Sequence, residues 1–436
     1  MTKEYQLEGT PDEGLWGATI GFFIGFAAVV ALGSTATEFN VALGLSGTLA
    51  GLLVAMPNLS GSLLRIPFSA WTDDVGGIKP ILVLLVLSIV GMAGLYFFGL
   101  SLENGTLTKG MYPLILFFGF LAGCGIATFS VGISQVAYWF KQKDQGSALG
   151  KYAGIGNLAP GIFSFIMAIT LATIGVANSY LLWLVLLAIG TFIYFRIGKD
   201  AYYFQLLNQG VSKEEAIRVA KEKGQELFPK YKLIQSLKAS GRHWQTWALV
   251  SLYFTSFGGF IALGTWFKKY WVDFYGPDPI VIADDIKFGI PLILNGIFIV
   301  IGSLVRVYAG KISDSIGGTQ TLFGGISVLL VGALIMTFSE IYGLSILGMV
   351  ILAVGMGIMN AAVFKLVPKA VPDAVGGTSG WVGGLGAFGG FVIPPILGAF
   401  VDQMGSIGYA RGYVVFVLLA LICYILTWLI ARSTKN

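Results

Sequence analysis

Long apolar runs separated by short polar turns recur from one end of this chain to the other, and a single polar stretch near the middle interrupts them. Twelve runs can be drawn, at Leu15–Ala36, Gly44–Trp71, Lys79–Leu100, Tyr112–Phe140, Ser147–Ile174, Tyr180–Ile197, Trp244–Tyr270, Ile286–Ile312, Gln320–Ser339, Gly343–Val367, Ala374–Val401 and Gly412–Ile430. A hydrocarbon layer about 30 Å thick takes about twenty helical residues to cross. Each run therefore predicts one transmembrane helix, and the chain is expected to be an all-α integral membrane protein. The polar stretch, residues 198–243, is read as a linker with one or two short surface helices. Within it Ser212 is placed to cap a helix, Glu214 and Glu215 fall in the first turn, and Ala216, Val219 and Ala220 share a face.

The runs repeat one another. Trp16, Phe22, Phe23 and Phe26 in the first answer to Trp247, Tyr253, Phe254 and Phe257 in the seventh. GSLLRIPFSAWTDDVGG (Gly61–Gly77) returns as GSLVRVYAGKISDSIGG (Gly302–Gly318), and GSALGKYAGIG (Gly146–Gly156) as GGTSGWVGGLG (Gly376–Gly386). Six spans have been duplicated, which predicts two pseudo-symmetric six-helix halves, residues 1–197 and 244–436, joined by the linker.

Composition and charge narrow the class. Of 436 residues 56% are hydrophobic and 11% charged, against about 25% charged in soluble domains. With both termini inside, about twenty Lys and Arg fall in cytoplasmic segments and about five outside, which sets that orientation by the positive-inside rule. The net charge of +5 is thus a topology signal rather than a nucleic-acid footprint. The opening MTKEYQLEGTPDEG is mixed and acidic, so no cleavable signal peptide is expected. Cys124 and Cys423 lie inside spans without metal-ligand spacing and read as packing residues. His243, the single histidine, reads as an interfacial anchor. No nucleophile-base pair, phosphate loop or cofactor-ligand pattern is visible, so neither an enzyme nor a cofactor is expected.

The candidate chemistry centres on Arg65 and Arg306, one at the same place in each half. Each precedes an aspartate, Asp73 or Asp314, by eight positions, or about 12 Å of helix, which puts both charges near the membrane midplane. Charge there is costly and marks function by default. Guanidinium is permanently charged and offers a planar fork of donors suited to a small planar oxyanion. Phe22 and Phe26, with Tyr253 and Phe257, fall at i and i+4 and can wall such an anion. The glycine runs, including Gly150, Gly154, Gly156, Gly383, Gly384 and Gly386, allow close approach between helices that slide or rock, and bring Asn157 to the centre. Asp or Glu is absent from the depth of every span. Two arginines facing each other repel unless an anion neutralises them, so loaded states should rearrange more easily than the empty one. Exchange of anions is therefore expected. Lys365, in FKLVP at the end of the tenth span, is the further basic group close to this centre.

These residues resemble the NarK-type nitrate/nitrite porters of the major facilitator superfamily. The resemblance rests on LLRIPFS and LVRVYAG, on GKYAGIGNLAPG and GWVGGLGAFGGFVIPP, on LYFTSFGGF and on GIMNAAVFKLVP, and covers the chain apart from the linker. It implies that Arg65 and Arg306 clamp nitrate or nitrite, that Phe129, Tyr253 and Phe257 are the site aromatics, and that Asn157 is the signature asparagine. Phe26 joins them by internal symmetry alone. The family's turn after the second span is matched by Asp73, Asp74, Gly76 and Gly77, with its basic pair reduced to Lys79. The expected function is nitrate/nitrite antiport by alternating access in the inner membrane, by a protein working as a monomer. The alternatives are a proton-coupled nitrate symporter, which Lys365 leaves open, an organic-anion carrier, and a membrane anion sensor on a transporter fold.

Overall fold

A computed structural model describes residues 5–141, 144–229, 233–276, 279–283, 286–371 and 375–433. Among them eleven helical stretches are long and apolar enough to cross a membrane. Ten are single crossings: α1 (Pro11–Leu43), α2 (Gly47–Val75), α3 (Ile78–Glu103), α4 (Lys109–Trp139), α7 (Trp244–Tyr275), α8 (Ile290–Ile316), α9 (Gly318–Phe338), α10 (Tyr342–Ala370), α11 (Gly377–Arg411) and α12 (Val414–Ser433). The eleventh, Ala148–Ile197, has a non-helical residue inside it, Gly175 at φ 80°. A positive φ at that position suits glycine, and it parts the stretch into α5 (148–174) and α6 (176–197). Eleven apolar stretches are thus found where twelve crossings are expected, and Gly175 interrupts the longest of them. The expected start of the eighth span at Ile286 is corrected: Ile286–Gly289 forms a strand paired with Pro279–Ala283, and the helix begins at Ile290, ahead of Pro291.

The helix starts follow local chemistry. Thr10 and Glu13 form a reciprocal capping box ahead of Pro11, and the Ser46 hydroxyl accepts from Leu49 N–H at the start of α2. Position in the bundle shows in burial. The apolar windows of α1 and α7 are 83% and 89% buried against 28% for α12, so the duplicated first and seventh spans are central and α12 peripheral. Leu418, Leu421 and Ile425 on α12 and Phe192 and Phe195 on α6 are exposed, the pattern of helices that face hydrocarbon.

Several central helices are interrupted at their middles. α1 tightens to 3-10 geometry at Ala27–Val30, α4 does so at Gly123–Ala127, and α7 widens to a π-turn at Phe254–Gly258. The glycine helices break at matching places, α5 after Gly156 and α11 after Ala387. α2 breaks at Leu64, whereas α8 runs unbroken through Arg306.

On the face that carries the termini, Ser212 caps the helix Lys213–Glu222 as expected and buries Ala216, Val219 and Ala220 against the helix Tyr202–Asn208. The N-terminal segment docks there through Glu8 with Lys199 and Gln205. The helix Leu233–Ser240 turns instead to α11, where the Trp381 indole donates to the Leu237 carbonyl.

Candidate functional site

The breaks aim backbone and rings at one place. The π-turn in α7 carries Phe257, and π-turns occur often at functional sites because the extra residue per turn re-aims side chains. Phe257 stacks on Tyr253 (centroids 4.9 Å apart), on Phe129 of α4 (5.9 Å) and on Phe26 of α1 (6.3 Å, planes within 6°). Both arginines reach this ring. The guanidinium carbon of Arg65 lies 5.4 Å from its centroid and that of Arg306 lies 5.6 Å away, while Arg65 also sits 4.9 Å from the Phe129 ring. The negative ring faces offset part of the cost of burying a cation.

Arg65 is buried and Arg306 half-buried. Arg65 Nη1 donates to the carbonyl of Gly383 on α11, a bond between the two halves. Its Nε and Nη2, Arg306 Nη1 and Asn157 Oδ1 are buried without a hydrogen-bonding partner, and the Tyr253 hydroxyl is buried beside both arginines. Unsatisfied buried donors are costly, and guanidinium and phenol donors together suit an oxyanion with several acceptor oxygens. Asn157 stands at the break in α5, where its carbonyl accepts from the Ser303 hydroxyl of α8 (3.1 Å). Arg65, Arg306, Phe26, Phe129, Tyr253 and Phe257 thus come together around one ring, and Asn157 lies at the contact between halves.

The expected glycines separate by what surrounds them. A side chain at Gly156 would enter the Phe22 ring, and one at Gly386 would approach Tyr253 to 2.7 Å, so these two make room for site aromatics within their own halves. Gly154 faces Val307 and Gly384 faces Ile66, both across the halves at 2.9 Å. Gly150 meets nothing within 4 Å and Gly383 only Ser130 at 3.9 Å, so neither position needs glycine for space.

Asp73 accepts from the Tyr138 hydroxyl (2.6 Å), and the side chain of Asp314 lies outside the described residues. Lys365 is exposed near the end of α10, next to Phe364, whose ring meets Tyr253 edge-on.

Four features escaped the sequence reading. The Tyr152 hydroxyl, in the slot left by Gly132, donates to the carbonyls of Thr128 and Phe129 (3.1 and 2.9 Å) and so holds the backbone of the Phe129 wall. Its place in GKYAGIG, between glycines, was the available signal. At the turn after α2, the carboxylate that caps α3 is Asp200, which accepts from Gly77 and Ile78 N–H (2.6 and 3.2 Å). The other two features are Lys268 and Lys269, buried cations within the seventh apolar run.

The face opposite the termini is sealed by contacts between halves. Lys268 of α7 pairs with both oxygens of Glu38 on α1 (2.7 and 2.6 Å). Asp402 of α11 accepts from Gly47 and Thr48 N–H and the Thr48 hydroxyl at the start of α2 (2.6, 2.9 and 2.5 Å). Beside them Gly51 packs against the Pro394 carbonyl.

A bundle of membrane-length apolar helices with two cations at its centre, one from each arginine segment, describes a membrane transporter. The chain belongs to the Major Facilitator Superfamily, whose family model matches residues 15–394 and 279–436. The fold matches the xylose transporter XylE from E. coli in a partially occluded inward-open conformation, with TM-score 0.70 over 96% of this chain and 99% of that one at 13% identity. Among relatives by sequence, a probable nitrate/nitrite antiporter NarK1 of Thermus thermophilus is 29% identical, over 93% of this chain and 89% of its own. A nitrite extrusion protein of Bacillus subtilis is 26% identical (94% and 91%), and a probable nitrate transporter NarT of Staphylococcus epidermidis is 27% identical (81% and 79%).

Proposed function

We propose that this transporter exchanges nitrate for nitrite across a cell's inner membrane, with both termini and the linker in the cytoplasm. The observation that carries the reading is the pair of guanidiniums, one from each half, reaching one phenylalanine ring with donors unspent. Nitrate and nitrite are small, flat and singly charged, so they can lie between rings and accept from both arginines at once. The names carried by the relatives agree with this substrate class.

Residues 1–197 and 244–436 move as the two halves, and 198–243 links them. With the far face sealed, the conformation is closed to the outside. Gly154 and Gly384 are the points where the glycine helices slide against the opposite half; Gly156 and Gly386 seat the rings. Asp73 and Asp314 mark the cytoplasmic turns, and Lys365 is a basic group at the inner mouth. Exchange follows from electrostatics: an anion shared by both arginines lowers the cost of bringing them together, and an empty carrier bears that cost in full. The protein works as a monomer, since each chain holds both arginines.

The test is counterflow in proteoliposomes loaded with nitrite, with nitrate or with neither. Nitrate uptake is expected only with an anion on the other side. Strong uptake into empty vesicles, driven by an acidic exterior, would replace exchange by proton-coupled symport.

A further inference from the structure

Lys268 and Lys269 are neighbours near the far end of α7, 6% and 1% exposed, and they are neutralised in different ways. Lys269 pairs within its own half, with Asp273 one turn along α7, and the Asp273 carboxylate also accepts from the Tyr409 hydroxyl (2.6 Å). Lys268 pairs only across the halves, with Glu38. When the halves part at this end, Lys269 keeps its carboxylate and Lys268 loses it. An ammonium drawn out of a buried pair is left without its counter-charge.

The second carboxylate of the seal follows the same rule in reverse. Asp402 of the C-terminal half occupies backbone donors at the N-terminus of α2, in the N-terminal half. Helix N-termini favour anions. Each half therefore plugs an anion-attracting position of the other with its own carboxylate, and both plugs leave on opening. Lys268 is thus the cation of the two whose carboxylate is left on the other half, whereas Lys269 keeps Asp273 beside it.

We propose that Lys268 is a capture site for a small inorganic anion on the outer face, formed only when the carrier opens outward, with Glu38 as the carboxylate that occupies it when that face closes. The inference rests on the nitrate/nitrite reading and its orientation. The anion held there is the transported one, taken from bulk water before it passes to Arg65 and Arg306. Closing then exchanges that anion for Glu38, so an anion still at Lys268 opposes closure until it has moved inward.

The test measures half-saturation for nitrate from each face of nitrite-loaded proteoliposomes, for wild type, K268Q, K268R, E38Q and the double variant K268Q/E38Q. K268Q is expected to raise the outer half-saturation concentration about tenfold at low salt, as local anion enrichment is lost. The inner value should stay within about twofold, and the outer effect should shrink as salt shortens the screening length from about 10 Å at 0.1 M to about 3 Å at 1 M. K268R keeps the charge and should stay close to wild type. The double variant decides between capture and sealing: without either charge the seal carries no unpaired ion, so a purely sealing role predicts recovery of the wild-type outer value. Capture predicts that the outer value stays raised. Recovery in the double variant, or an equal rise on both faces in K268Q, would overturn the proposal. Wild-type vesicles that exchange no nitrate for nitrite would overturn the transport reading itself, and the capture site with it.

Discussion

Arg65 and Arg306, from opposite halves of the bundle, lie 5.4 and 5.6 Å from the centroid of one ring, that of Phe257. Phe257, carried on a π-turn of the C-terminal half, is thus the floor of an arginine of the N-terminal half. Arg65 is further tied to the Gly383 carbonyl, so the cluster belongs to both halves at once.

Replacing either arginine by lysine keeps the charge and loses the fork. A hydrogen bond to a charged group contributes about 1.5–3 kcal/mol, so R65K and R306K are each expected to cut exchange about ten- to a hundredfold. Counterflow measures it, with the melting temperature in detergent as the control for folding. Exchange within twofold of wild type would remove that arginine from the site.

Tyr152 acts on the site through Phe129. Tyr152→Phe keeps the ring contacts with Phe22 and Phe129 but loses the hydroxyl that holds the Thr128 and Phe129 carbonyls. A stability loss of about 1 kcal/mol is expected, with a severalfold rise in half-saturation for both anions from either face. Unaltered half-saturation would confine Tyr152 to packing.

Gly150 and Gly156 sit in the same signature and should behave in opposite ways. Gly150→Ala meets open space and should leave exchange unchanged while stabilising slightly, since alanine is the better helix former. Gly156→Ala drives a methyl into the Phe22 ring, and overpacking of this kind costs about 1–3 kcal/mol. Parallel melting and counterflow curves on the two variants check the contrast.

Much of this was legible because it is repetitive. The duplicated arginine segments, the matched aromatic faces and the paired glycine runs need only a comparison of the chain with itself. Helix breaks were not legible. The stop after Gly156 sits beside Asn157 and Pro160, the stop after Ala387 lies in a glycine run and the π-turn spans Thr255 and Ser256; each falls inside one hydropathy run, which by itself does not mark a change of winding. Pairings between halves were hidden for another reason. Glu38 with Lys268 and Asp402 with the start of α2 join residues far apart in sequence, as does the linker's Asp200 with the start of α3, and no local pattern carries such information.

Asp200 gives a pH signature on the linker face. Burial pushes its carboxyl from the ordinary 3.8 up to about 6, against the opposing pull of the Gly77 and Ile78 N–H groups and Lys79. Between about pH 4 and 6 the folded protein holds a proton that the unfolded chain has released, so this group's contribution to stability falls as pH rises through that window and is flat above it. Asp200→Asn cannot ionise. Its melting temperature relative to wild type should therefore climb from about pH 4 to about 6 and then level off. A difference independent of pH would contradict the assignment.

The central claim is that one anion is gripped by both arginines. Equilibrium nitrate binding to purified wild type, R65K, R306K and the double variant, followed by calorimetry, tests it as a double-mutant cycle. A shared anion predicts strong coupling, with the second substitution costing far less than the same substitution made alone. Fully additive losses, as from two independent sites, would contradict it.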